Sequence, residues 1–180
     1  MEGWKTLSVN TVIDYGKFLK VENHKIELPD GRILEDWPWI ITPDFVNVVV
    51  LTKEKKFLCL RQIKYAVEGA SLAPAGGYID PGEKPIDAAK RELLEETGYI
   101  SDEWIDLGNF IIDANRGVAK AYIFLAKNAV KISESNLDDL EDHEVVILEI
   151  EEIKRALSNR EFKVISWATS FLLALKYLGE

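Results

Sequence analysis

Glu92 and Glu96 stand four residues apart in the run Arg91-Glu92-Leu93-Leu94-Glu95-Glu96, with Glu95 between them. On a helix, like charges at i and i+4 are neighbours and repel by roughly 0.2–0.5 kcal/mol. A hard divalent cation turns the same groups into ligands, since Mg²⁺ takes carboxylate, carbonyl and water oxygens in an octahedron. Such a cation neutralises a polyphosphate, orients it and makes an attacking water more acidic. The chemistry open to these residue types is metal-assisted hydrolysis. The plainer alternative is an exposed amphipathic helix carrying Arg–Glu pairs.

The element that must position these groups is a helix from about Pro85 to Thr97. Proline suits a first helical turn and Gly98 suits a C-terminal cap. At about 100° per residue, Ile86, Ala89, Leu93 and Thr97 form one apolar stripe. Glu92 and Glu96 fall about 40° apart at its edge, and Arg91 and Glu95 fall on the next face. The preceding loop, Pro74-Ala75-Gly76-Gly77-Tyr78-Ile79-Asp80-Pro81-Gly82-Glu83, lets backbone come close to the helix because glycine lacks Cβ. The Gly76 carbonyl can then join the carboxylates on one metal.

Around this centre the patterning alternates between strands and helices. Residues 8–28 read as short strands, with turn candidates at Asp14-Tyr15-Gly16 and Glu22-Asn23-His24, and Pro29-Asp30-Gly31 as a strong turn. Val46–Leu51 and Lys56–Gln62 flank Thr52-Lys53-Glu54-Lys55 as a hairpin. A loop of small residues spans 67–82. Strands follow near Trp104–Ile112, Ala119–Ala126 and Val145–Ile150, and helices near Glu151–Leu157 and Val164–Leu178. The division expected is an N-terminal β extension over 1–42 and an α/β domain over 43–180.

The chain has 180 residues, net charge −9 and one cysteine, Cys59. That length buries a real core without disulfides. Such a charge offers no attraction to long nucleic acids or anionic membranes, but admits a small phosphorylated ligand bridged by a cation. Cys59, within Phe57-Leu58-Cys59-Leu60, reads as a buried structural thiol. The expected setting is the cytoplasm, with no membrane span.

From Gly77 to Tyr99 the spacing is Gly77, five residues, Glu83, seven residues, then Arg91-Glu92-Leu93, any residue, Glu95-Glu96, any residue and Gly98. This resembles the box of the Nudix hydrolases, with Tyr99 where an aliphatic residue is usual. The resemblance implies a Nudix α/β/α sandwich with a mixed sheet, plus a small N-terminal antiparallel β extension. It implies Glu92 and Glu96 as principal ligands of Mg²⁺ (Mn²⁺ substituting), with Glu95 and the Gly76 carbonyl helping. Arg91 would orient the glutamates and Glu83 would support the cluster. A general base would come from an acidic segment after the box, here Glu141 or Glu144; the alternative for both is a solvated acidic turn.

The N-terminal extension resembles that of the ADP-ribose and nucleotide-sugar pyrophosphatases, which dimerise through it, so a homodimer is expected. Arg61-Gln62-Ile63-Lys64-Tyr65 and Pro74-Ala75-Gly76 resemble segments of the same branch. Leu72 stands where a glutamate is common and Ala114 where a proline is common. Arg61 or Lys64 would bind a phosphate of the substrate, or else form a strand-end salt bridge. Arg116 would face the substrate from a loop tip. Trp37 and Trp39 would stack on a base, or serve as core or dimer contacts. The implied reaction is metal-dependent cleavage of a nucleoside diphosphate linked to a further group, ADP-ribose or a nucleotide sugar. The alternatives are a nucleotide-sensing Nudix-fold module and a nucleoside triphosphate pyrophosphohydrolase.

Overall fold

The computed structural model describes residues 3–135 and 143–180. The chain forms two compact units: Met1–Asp44 with Phe110–Lys120, and Phe45–Asn109 with Ala121–Glu180.

The first unit holds a three-stranded antiparallel sheet in the order β1-β2-β3, formed by β1 (Lys5–Asp14), β2 (Lys20–Glu27) and β3 (Ile33–Ile41). Asp14-Tyr15-Gly16 turns as expected, Gly16 N donating to Asp14 Oδ1 at 2.8 Å. Glu22-Asn23-His24 does not turn but lies within β2, where the Asn23 amide donates across to Asp36 Oδ1 at 2.6 Å. Cross-strand bonding there outweighs local turn propensity. Phe110–Lys120 joins this unit through backbone bonds: Ile40 N donates to the Arg116 carbonyl at 3.0 Å and Thr42 N to that of Val118 at 3.1 Å. Side-chain patterning carries no trace of such bonds.

The second unit holds a seven-stranded mixed sheet. Its main path runs β10 (His143–Leu148), β5 (Phe57–Gln62), β4 (Phe45–Thr52), β9 (Lys120–Lys131), β7 (Tyr99–Ile100). β6 (Ser71–Ala73) pairs with β5, and β8 (Glu103–Ile111) with β9. β4 runs parallel to β9 and antiparallel to β5. Its core residues form a near-continuous apolar run because both faces are covered. Side-chain alternation then sorts the core into two layers. Val46, Val48, Val50, Leu58 and Leu60 pack with Ala88, Ala89 and Leu93 of α1 (Pro85–Thr97). Val49, Leu51, Phe57 and Cys59 pack with Ile153 and Ala156 of α2 (Ile150–Ser158) and Phe171, Ala174 and Leu175 of α3 (Ile165–Leu178). The result is the expected α/β/α sandwich.

Two features escape the sequence pattern. β6 lies inside the segment read as loop, and β9 continues past Ala126. Asn128 there adopts the left-handed conformation (φ 54°), and the register against β4 slips by one residue. Asparagine tolerates that conformation, so the strand bulges rather than ends. No helix among the described residues is long and apolar enough to cross a membrane.

Phe171 is wholly buried, its ring 6.0 Å from Phe57 and 4.5 Å from Phe162. Cys59 beside them is also fully buried, and burial pushes its thiol far above the usual range. The native protein should therefore resist a thiol reagent and take up one equivalent only after denaturation. Labelling of the native chain at the unfolded rate would contradict this.

Candidate functional site

The glycine loop is docked onto β4 as a pseudo-strand. Val46 N donates to the Gly77 carbonyl at 2.9 Å and Val48 N to that of Ala75 at 2.7 Å. Gly76 sits at φ 148°, and a Cβ there would lie 2.1 Å from the Val46 carbonyl oxygen. The loop can approach this closely only with glycine. A Cβ on Gly77 would lie 2.4 Å from Glu92 Oε1, so the bare glycine leaves room for that carboxylate.

The helix is set from both ends. Pro85 occupies the first turn, and Gly98 caps the C-terminus in the left-handed region (φ 74°), its N–H donating to Leu94 O at 2.8 Å. Ile132 N then donates to the Gly98 carbonyl at 2.9 Å. Within α1 the buried residues are Ala88, Ala89, Glu92, Leu93, Glu96 and Thr97. The two glutamates belong to the buried stripe itself, with Glu92 9% and Glu96 3% exposed.

Buried carboxylates need partners. Gly76 N donates to Glu96 Oε2 at 2.6 Å. Arg91 Nη1 donates to Glu92 Oε1 at 2.7 Å and to Glu95 Oε2 at 3.2 Å, and Nε and Nη2 donate to the two oxygens of Glu83, each at 3.0 Å. Arg91 Nη2 also reaches the Tyr78 carbonyl at 3.0 Å. The pair with Arg91 holds the Glu83 carboxyl below its usual range, and the bond to Glu83 above all keeps the guanidinium firmly protonated. Five expected site residues, Glu83, Arg91, Glu92, Glu95 and Glu96, are thus brought together with Gly76.

Among the described residues, no three acidic, histidine or cysteine side chains already converge as a metal cage. In the carboxylate cluster, Arg91 spans three of the four acids. The donor set nevertheless suits a hard divalent cation: oxygen ligands only, two of them buried neighbours, beside a cradle that a Cβ at Gly77 would fill.

Strand parity separates the remaining candidates. Leu58 and Leu60 of β5 face α1, so Gln62 does too, while Arg61 points to the α2–α3 side with Phe57 and Cys59. In the β10–β5 register His143 lies opposite Gln62 and Glu144 opposite Arg61. Directly paired residues share a face. Arg61 and Glu144 therefore stand across the sheet from Glu92 and Glu96, and form an exposed ion pair at 3.8 Å. This pair is the strand-end salt bridge given as the other reading of Arg61, and it holds Glu144 on the face away from the carboxylates. The residue that parity delivers to α1 is His143, whose Nε2 lies 2.9 Å from the Glu96 carbonyl oxygen. Sequence reading missed it, because placing it needs the register. Glu141 lies outside the described residues. Lys64 is exposed in the turn after β5, its carbonyl accepting from Val67 N at 2.8 Å.

The other candidates belong to the first unit. Trp37 Nε1 donates to the Asn115 carbonyl at 2.8 Å, and its ring meets Trp4 edge-on at 5.4 Å. Trp39 stacks on His24 at 5.3 Å, and a Cβ on Gly117 would fall 2.1 Å from its ring. Both indoles are thus engaged inside their unit. Arg116 pairs with Asp113 at 3.0 Å.

The NUDIX domain model matches residues 42–168. The chain is 27% identical over 158 residues to an ADP-ribose pyrophosphatase of Bacillus subtilis (strain 168), covering 87% of this chain and 84% of the relative. It is 24% identical over 175 residues to a methanol dehydrogenase activator of Bacillus methanolicus, covering 97% and 91%. A solved structure described as an ADP compounds hydrolase superposes with a TM-score of 0.84 at 22% identity, over 99% of this chain and 96% of that one.

Proposed function

Because the chain belongs to the Nudix family, as a pyrophosphatase hydrolase, we propose that it cleaves the pyrophosphate bond of a nucleoside diphosphate linked to a further group, ADP-ribose or a nucleotide sugar. The observation that carries this reading is the cluster of Glu83, Glu92, Glu95 and Glu96 around one arginine and two glycines. The likeness to the ADP-ribose pyrophosphatase of Bacillus subtilis supports the substrate class.

Family members generally use divalent metals, and here Mg²⁺, with Mn²⁺ as substitute, is the proposed ion. Glu92 and Glu96 would hold it, helped by Glu95, the Gly76 carbonyl and Glu83. When bound, a divalent cation neutralises the diphosphate, orients it and lowers the pKa of the attacking water. The protein's own groups supply positioning. Gly76 N–H fixes the Glu96 carboxylate, Arg91 fixes Glu92 and Glu95, and Glu83 fixes Arg91. Preformed geometry of this kind removes reorganisation from the reaction step. Glu141 keeps the proposed role of general base. Lys64, exposed in the same unit as the carboxylates, is proposed to meet the phosphates.

A homodimer accords with the surface of the first unit. Every residue of β1 is exposed, and Trp4, Leu7, Val9, Val12, Ile13, Tyr15 and Phe18 present apolar area along and beside an edge strand. Sedimentation equilibrium should give twice the chain mass; a monomer at micromolar concentration would rule the dimer out. The buried free thiol suits a reducing compartment, and the cytoplasm is the proposed setting.

The test of function is a panel of ADP-ribose and nucleotide sugars incubated with Mg²⁺, reading the released nucleoside monophosphate and its phosphorylated partner. We expect turnover of at least one compound, abolished by EDTA. Tight binding of one without any product would favour a nucleotide-sensing module instead.

A further inference from the structure

The placement of Arg61 leaves a basic group with no part in the carboxylate site. Two adjoining cavities, of about 330 and 260 Å³, lie on the α2–α3 side of the sheet and share Arg61, Leu72, Asn159 and Glu161 as walls. Between them they are lined by four cations: Arg61, Arg155, Arg160 and Lys163. Two carboxylates, Glu152 and Glu161, line them as well. In a chain of net charge −9, such a surplus of positive charge in one hollow is a local exception.

The Lys163 ammonium donates to the Glu68 carbonyl, but the three arginines are weakly committed within the protein. Arg61 meets Glu144 at 3.8 Å and Arg155 meets Glu152 at 3.9 Å, both at largely exposed positions. Such pairs contribute little. Glu152 is itself drawn to the N-terminus of α2, accepting from Glu149 N at 2.8 Å. Arg160 forms no ion pair among the described residues.

The backbone under Arg160 adds an independent sign. Arg160 N donates to Leu157 O at 3.2 Å and Glu161 N to Ala156 O at 2.9 Å, the bonding of a Schellman cap. The residue at the left-handed position of that cap is usually glycine. Here it is Arg160, at φ 60°. An arginine in this conformation is disfavoured, and such outliers gather at functional sites. The segment is also pinned in place: Leu72 N donates to Glu161 O at 2.9 Å and Lys163 N to Ser71 Oγ at 3.0 Å. The walls are therefore fixed while the arginine ends remain available.

We propose that this hollow is a second ligand site, binding a small phosphate-bearing anion no larger than a nucleoside monophosphate. Guanidinium forks match phosphate oxygens in pairs, and the Asn159 amide offers both donor and acceptor to the rest of the ligand. The site lies across the sheet from Glu92 and Glu96, so occupying it does not block the carboxylate cluster.

Isothermal titration of the full chain in EDTA with AMP, pyrophosphate and inorganic phosphate tests this. Binding of at least one probe is expected, weakened on the order of tenfold or more in both Arg155→Ala and Arg160→Gly, and kept in Glu96→Gln. Arg160→Gly should melt no lower than the parent while losing the ligand, a divergence that a purely structural role for Arg160 would not produce. Arg155→Ala, on an exposed helical turn, carries the test alone if Arg160→Gly is less stable. Absence of binding by all three probes, binding unchanged in Arg155→Ala, or binding lost in Glu96→Gln would each overturn the proposal.

Discussion

Glu96→Gln is expected to lower kcat by roughly a hundredfold or more while leaving the melting temperature almost unchanged. The amide oxygen of glutamine can still accept the bond that Gly76 N gives to Glu96 Oε2 at 2.6 Å, so the link between loop and helix survives. What disappears is a negative charge at a residue only 3% exposed. In a buried, low-dielectric position that charge matters far more than at the surface. Steady-state kinetics beside a thermal melt separates the two effects. Retained turnover would sink the proposed metal-ligand role of Glu96, and a large loss of melting temperature would show the residue to be mainly structural.

Gly76→Ala should have the largest effect on folding. The added methyl would sit 2.1 Å from the Val46 carbonyl oxygen and 3.2 Å from the Asn47 Cα, both main-chain atoms of β4. Neither can swing aside as a side chain does, and φ 148° is itself strained for alanine. We expect a loss of roughly 3 kcal/mol or more, from overpacking and backbone strain together. In a chain of this size that lowers the melting temperature by about 6–12 °C. Gly77→Ala is the informative partner. Its methyl would press on the Glu92 carboxylate at 2.4 Å, the far end of a side chain. That variant should therefore fold but turn over poorly. Equal melting temperatures for Gly76→Ala and the parent would show that the loop does not need its close approach to β4.

The helix and its glycine loop were legible because local rules determine them. Pro85 and Gly98 mark the ends of α1, and apolar spacing marks its inner face. The β4–β5 hairpin was legible for the same reason, with Lys55 taking the left-handed conformation at its turn. β6 was not, since three residues become a strand only when β5 offers them partners. Nor was the fate of Arg61-Gln62, which reads as one motif but is divided by the sheet. Only the pairing of β5 with β10 shows that Gln62 and His143 look toward α1 while Arg61 and Glu144 look away. The engagement of Trp37 and Trp39 was equally hidden, because it depends on backbone of a segment some 78 residues away in the chain.

The span of Arg91 across Glu83, Glu92 and Glu95 has a consequence for ionic selectivity. Any cation entering that cluster competes with a guanidinium that already offers a full positive charge and directed N–H bonds. Na⁺ and K⁺ bring no more charge and no directionality, so they gain little by displacing it. A small divalent ion concentrates twice the charge and repays the exchange. If the cluster holds a metal as proposed, the arginine would set a threshold of charge density, and the cluster would discriminate among ions before coordination geometry came into play.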